Sequence, residues 1–116
     1  MKAKQNRDFA LFQKEFKKWQ YRFGLTGYKV FFKYEPIGDG FADIQTNLSN
    51  MSTTVRLNSK LNNENKPFKD VKRSAKHEAS HLLIGRLELN GRARYMSDAE
   101  IYETTEELVN KLVDLV

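Results

Sequence analysis

The stretch HEASH at positions 77–81 holds both histidines of this 116-residue chain, and a glutamate directly follows the first of them. On a helix, residues four apart lie one turn apart on the same face, so His77 and His81 can present imidazole nitrogens to a single ion. Neutral imidazole binds Zn²⁺ at a zinc–nitrogen distance of about 2.0–2.1 Å. The type and spacing of these residues therefore predict a zinc site at His77 and His81.

Glu78 is expected to project to one side of this pair, where its carboxylate reaches a zinc-coordinated water without binding the metal itself. Zinc lowers the pKa of such a water toward roughly 7, so a carboxylate can accept its proton at neutral pH. His-Glu-x-x-His on a helix is the signature of zinc metallopeptidases. We therefore expect Glu78 to be a general base in peptide hydrolysis. The competing interpretation makes all three residues ordinary members of a helix surface.

The elements that must position this motif begin with an amphipathic helix, predicted from about residue 6 to residue 23 and ended by Gly24. Aromatic residues recur there at alternating steps of three and four, which places them on one face of the helix. This spacing is typical of a core-facing stripe. The stripe comprises Phe9, Phe12, Phe16, Trp19 and Phe23.

Three strands are predicted next, at residues 28–34, 41–47 and 51–57. Strand-forming residues dominate these segments, and a turn-forming stretch, PIGDG at 36–40, follows the first of them. Short connections favour antiparallel neighbours. We therefore expect a small three-stranded, mainly antiparallel sheet.

The HEASH motif falls in a second helix. Pro67 suits its first position, where the missing N–H costs nothing, and the apolar pattern continues to Leu87, before Asn90-Gly91. Ser97 and Glu100 form a capping box that opens a third helix running to the C-terminus. The order of helix, three strands and two helices predicts the α+β class and one domain spanning residues 1–116.

Composition narrows the class of protein. The chain has no cysteine, and it has neither a secretory signal nor a run of 18 apolar residues, so we expect a monomeric cytoplasmic protein without a membrane span. The net charge of +5 is uneven. Residues 1–33 carry nine Lys or Arg against two acids, whereas residues 98–116 carry six acids against one lysine. A basic N-terminal face can attract nucleic acid, although a solvated helix face is the favoured interpretation.

The motif and the order of elements resemble the minimal zincin core. The similarity is closest to minigluzincins and phage-type metallopeptidases, and more distant to SprT-like and ImmA/IrrE-type domains. It is carried by KHEASHLLIGRL at 76–87, an HExxH motif followed by an apolar half-turn. The resemblance implies that His77 and His81 bind Zn²⁺ and that Glu78 is the general base. It also implies that a peptide or protein substrate pairs with the strand before the helix, MSTTVRL at 51–57.

SprT-like proteins supply a third histidine, which this chain lacks, so the resemblance favours a glutamate as third ligand. The acidic candidates lie on the third helix: Asp98, Glu100, Glu103, Glu106 and Glu107. The predicted core-facing stripe of that helix is Ile101, Thr105, Leu108, Val109, Leu112 and Val116. Glu106 lies roughly 100° from the centre of this stripe and Glu103 roughly 160° away, which favours Glu106 at the edge of the core. Glu103 is the second choice, and Asp98 is less favoured because it lies in the capping turn.

A second function stays open. In this alternative the chain is a catalytically inactive zincin-like module that binds nucleic acid or a protein partner through its basic N-terminal face. Retention of Glu78 counts against it, because hydrolysis is the role that needs a carboxylate at that position.

Overall fold

The computed structural model describes residues 2–93 and 95–113. The helices there are α1 (Lys2–Arg22), α2 (Val71–Arg92) and α3 (Asp98–Val113), with a short 3₁₀ helix at Lys66–Phe68. The strands are β1 (Lys29–Glu35), β2 (Ala42–Asn47) and β3 (Ser52–Asn58). The predicted α+β class and order of elements are confirmed. Within these residues, no helix combines the length and the apolarity that a bilayer span requires.

The aromatic stripe of α1 packs against β1 as its spacing predicts. Phe12 and Phe16 are fully buried and meet the ring of Phe32 edge-on, with centroids 6.4 and 5.5 Å apart. α1 begins earlier than predicted, at Lys2, and ends at Arg22. Gly24 follows with a φ of 70°, a left-handed conformation that suits glycine after a helix end. The aromatic stripe therefore holds α1 against one face of the sheet.

The sheet is mixed, so the prediction of a mainly antiparallel sheet is wrong. Its strand order is β1-β3-β2, with β3 parallel to β1 and antiparallel to β2. The chain leaves β1, crosses to the far edge of the sheet for β2, and then returns through a tight turn to fill the centre with β3. Burial explains this order, because β3 carries three buried residues in alternation: Thr53, Val55 and Leu57.

The start and the end of α2 both differ from the prediction. Pro67 belongs to the 3₁₀ helix, and α2 begins at Val71, where the Asp70 carboxylate accepts a hydrogen bond from the Arg73 N–H at 3.1 Å. The helix also runs through Asn90 to Arg92. Asn90 is buried and donates its side-chain N–H to the Thr104 hydroxyl at 2.6 Å, a tertiary contact that overrides its preference for turns.

α3 opens at the predicted capping box, where the Ser97 hydroxyl accepts a hydrogen bond from the Glu100 N–H at 3.1 Å. Its packed face is centred on buried Thr104 and half-buried Leu108, whereas the predicted stripe members Ile101, Val109 and Leu112 are exposed. The helix is therefore rotated by about 80° from the predicted orientation. The predicted end of this helix at residue 116 lies outside the described residues.

Candidate metal centre

The two histidines of HEASH converge on α2. Their Nε2 atoms are 3.2 Å apart, the ring planes meet at 72°, and both side chains are exposed to solvent. Two imidazole nitrogens bound to one tetrahedral zinc at 2.0–2.1 Å would lie roughly 3.3 Å apart. The spacing of His77 and His81 therefore fits two ligands of one zinc ion.

The apolar face of α2 fixes the direction of this pair. Ala75, Ala79 and Leu82 belong to the hydrophobic core, which sets the rotation of the helix about its axis. His77 and His81 then point away from the core because of their positions in the helical repeat. Two residues on one rigid turn need little ordering to bind an ion.

Glu78 lies between the core and the histidine pair. Only 6% of the residue is exposed, and burial raises the pKa of its carboxyl group to about 7, with a further contribution from the nearby charge of Asp43 on β2. A carboxyl group with this pKa can both accept and donate a proton near neutral pH. Glu78 therefore exchanges a proton near neutral pH in the metal-free protein, and a zinc ion beside it would lower this pKa.

A groove of about 910 Å³ lies beside this glutamate. It is bounded on one side by β2, its turn and Ser52 and Thr54 of β3, and on the other by α2, from Glu78 and His81 to Arg92. β2 is an edge strand, so one side of its backbone has no partner strand within the sheet. The groove therefore brings the HEASH helix and an open strand edge together.

The hydrogen-bond register shows which backbone groups of β2 face this open edge. The N–H of Asn58 in β3 donates to the carbonyl of Phe41, the residue before β2, at 2.9 Å. These two residues are therefore a hydrogen-bonded pair of the ladder. Hydrogen-bonded and non-hydrogen-bonded pairs alternate in an antiparallel ladder. The N–H and C=O groups of Ile44 and Thr46 consequently point outward, where an extended chain can pair with them.

The expected pairing of substrate with MSTTVRL is therefore wrong. That segment forms β3, which has a partner on each side and no free edge. The strand with a free edge beside α2 is β2, FADIQTN in the prediction. Polar Asp43, Gln45 and Asn47 alternate with less polar residues in β2, but central β3 alternates in the same way, so this pattern could not have identified the edge strand.

The acidic residues of α3 lie away from the histidine pair. α3 contacts α2 at two residues, Arg86 and Asn90. The Arg86 guanidinium donates to the Glu107 carboxylate at 2.9 Å and also pairs with Glu103. Arg86 and Asn90 point about 160° around the α2 axis from the midpoint of His77 and His81.

Glu106 is exposed and lies about 160° around α3 from both Thr104 and Leu108. Residues 2–93 and 95–113 contain no group of three His, Asp or Glu placed to hold one metal ion. The structure thus brings together His77, His81 and Glu78, but it does not bring Glu106, Glu103 or Asp98 to them.

The chain was compared with known protein families, curated proteins and solved structures. No family model, curated protein or solved structure matches the chain.

The basic N-terminal segment contributes to a separate surface where α1 meets α2. Lys18, Arg22 and Lys76 all lie over the ring of Trp19, at 5.3, 5.2 and 4.5 Å from its centroid. The indole face attracts these cations and holds them along the seam between the two helices. Two cations of the basic N-terminal face, Lys18 and Arg22, therefore contact the Trp19 ring.

Burial of Glu78 has a measurable effect on the metal-free protein. Because its pKa is about 7 in the folded chain and near the ordinary 4.5 when unfolded, stability decreases as pH rises from about 4.5 and the full penalty is present above about 7. In urea denaturation with a chelator present, we expect the free energy of unfolding of Glu78→Gln to exceed that of the parent by about 1–2 kcal/mol at pH 8. At pH 5 the difference should be much smaller. Glu106→Gln is the control, since it removes a carboxylate from an exposed position. An advantage of Glu78→Gln that is equal at both pH values contradicts this expectation.

Proposed function

We propose that this protein is a zinc-dependent metallopeptidase of the minimal zincin type. His77 and His81 hold the metal, and Glu78 is the general base. One observation carries the proposal: two histidine nitrogens converge at 3.2 Å on the helix turn that also aims a buried carboxylate of raised pKa at a groove. A pair of surface histidines with only a structural role has no need for that carboxylate.

Each side chain has a defined task in this mechanism. Zinc held by His77 and His81 would supply a Lewis acid that lowers the pKa of a water molecule toward about 7. The Glu78 carboxylate accepts the proton from the attacking water, and the same carboxyl group then donates a proton to the leaving amine nitrogen. The core contacts of Ala75 and Ala79 keep α2 at one fixed rotation, so that Glu78 stays aimed at the groove throughout.

The substrate lies along β2 as an additional strand. The outward N–H and C=O groups of Ile44 and Thr46 hydrogen-bond to the extended peptide, and its scissile bond is held over the HEASH turn. Backbone pairing of this kind recognises a peptide in extended form and is tolerant of side-chain identity. The substrate class is therefore an unfolded or flexible segment of a protein.

Hydrolysis of a mixed peptide library by the purified protein tests the proposed function. We expect cleavage in the presence of zinc, its loss when a chelator removes the metal, and its return when zinc is restored. If the folded, zinc-loaded protein cleaves neither the library nor a casein-type substrate, the proposal fails.

Removal of one outward N–H tests the role of β2. Proline has no N–H and is tolerated in a strand where that group faces outward, so Thr46→Pro should keep the fold. We expect its KM for peptides to rise about three- to tenfold, because one backbone hydrogen bond to the substrate is lost. Thr46→Ala is the matched control, since it removes the hydroxyl that bonds Thr53 but keeps the N–H. Equal KM values for the two variants argue against pairing at this edge.

The third protein ligand remains a prediction at Glu106. Supply of this ligand from α3 requires the helix to leave its contacts with Arg86 and Asn90. Zinc affinity of Glu106→Ala tests this directly, with Glu103→Ala and Asp98→Ala as comparisons. A selective loss in Glu106→Ala supports such a movement, and an unchanged affinity excludes Glu106 as a ligand.

A further inference from the structure

β1 presents an exposed aromatic ring between two lysines. Its side chains alternate between the core and solvent, and the solvent side carries Lys29, Phe31 and Lys33. Phe31 is 56% exposed. Residues two apart on a strand lie roughly 6.5 Å apart, so each ammonium group can reach a position beside the ring. An apolar ring flanked by two cations therefore lies on the outer surface of the sheet.

Neighbouring strands extend this surface with neutral polar groups. Phe31 lies opposite Thr54, which in turn lies opposite Gln45, so all three side chains share one face. Ser52 and Asn47 form the next row, beside Lys29. Hydroxyl and amide groups in these rows can donate and accept hydrogen bonds without adding negative charge.

Both acids on this face are paired with one guanidinium, which offsets one of their two negative charges. Arg56 bonds the Asp43 carboxylate at 2.9 Å and the Glu35 carboxylate at 3.2 Å, which accounts for both acids near Lys33. Neither Lys29 nor Lys33 has an ion-pair partner among residues 7–93 and 95–113. Three cations and two acids give this face a net charge of +1, and its two unpaired lysines lie on either side of the exposed ring.

We propose that this surface, formed by Lys29, Phe31, Lys33, Thr54 and Gln45, binds single-stranded nucleic acid. An unpaired base stacks on Phe31, and the flanking phosphates contact the two lysines. Stacking on an aromatic ring requires a base free of its duplex partner. The charge of the face complements a phosphate backbone. Thr54 and Gln45 also line the groove beside Glu78 and His81, but this inference requires neither zinc nor hydrolysis.

Fluorescence anisotropy with a labelled 15-nucleotide oligothymidylate tests the proposal, with a duplex of equal length as comparison. We expect tighter binding to the single strand, both with zinc and with a chelator. Phe31→Ala should weaken it about tenfold, and Phe31→Trp should preserve it because stacking is retained. In the Lys29→Gln/Lys33→Gln double variant, the slope of log affinity against log salt should become shallower by about 1.4.

The chain offers a matched control elsewhere on its surface. Phe68 is 75% exposed and lies between Lys66 and Lys69, but it belongs to the 3₁₀ helix and not to the sheet. Phe68→Ala should leave binding unchanged. Equal losses in the Phe31→Ala and Phe68→Ala variants, equal affinity for single strand and duplex, or no binding overturns the proposal. A change from dimer to monomer in Phe31→Ala, without binding of the oligonucleotide by the parent, likewise overturns it in favour of self-association.

Discussion

Replacement of Glu78 by glutamine should leave zinc bound and reduce the rate of peptide hydrolysis by about 10²- to 10⁴-fold, the usual contribution of a general acid or base. The amide has nearly the same shape as the carboxylate but cannot accept a proton from water. The position is buried beside the groove, so the loss should fall on kcat more than on KM. Initial rates on a peptide library, with zinc content measured on the same samples, provide the test.

Glu88→Gln is the matched control for this variant. Glu88 lies on the same helix and lines the same groove, and it is exposed and paired with Arg92. The same chemical change there should leave kcat within about twofold, because exposed ion pairs contribute little. A Glu78→Gln protein that hydrolyses peptides as fast as the parent refutes the assignment of Glu78 as general base.

Replacement of His81 by alanine should lower zinc affinity by at least about 100-fold and abolish hydrolysis. Changes to residues that only support a metal ligand already lower affinity by 10- to 100-fold, and His81 is assigned here as a ligand itself. The side chain is exposed, so the apo variant should melt close to the parent. Isothermal titration with zinc measures the affinity.

Ser80→Ala serves as the control for His81→Ala. It changes the adjacent residue of the same helix, where the Ser80 hydroxyl donates to the Lys76 carbonyl at 2.8 Å. We expect Ser80→Ala to bind zinc like the parent. If His81→Ala also binds zinc like the parent, the histidine pair is not the metal site.

Local sequence signals predicted the existence and order of the three helices, although not all of their ends. The aromatic spacing of α1 and the left-handed Gly24 depend on residues near one another in the chain, and both appear in the structure. The same holds for the Ser97 cap of α3. The position of HEASH inside a helix follows from the apolar repeat of Ala75, Ala79 and Leu82, which also sets the convergence of the two histidines.

Contacts between distant parts of the chain were not predictable in this way. Short connections suggested antiparallel neighbours, but the burial of Val55 between two strands places β3 at the centre and makes β2 the edge. The rotation of α3 follows from its contact between Thr104 and Asn90, residues that lie in different helices. The spacing of apolar residues cannot reveal a contact between two polar side chains. Because the predicted position of Glu106 depended on that spacing, it could not account for this contact.

The zinc content of the purified protein tests most directly whether HEASH is a metal centre. We expect elemental analysis to find about one zinc per chain in the parent and in Glu78→Gln, and little in His81→Ala. Removal of the metal should lower the melting temperature of the parent, because an ion that binds only the folded state stabilises it by mass action. A parent protein that contains no zinc after purification or after incubation with it, and that melts at the same temperature with and without a chelator, contradicts the proposed metallopeptidase.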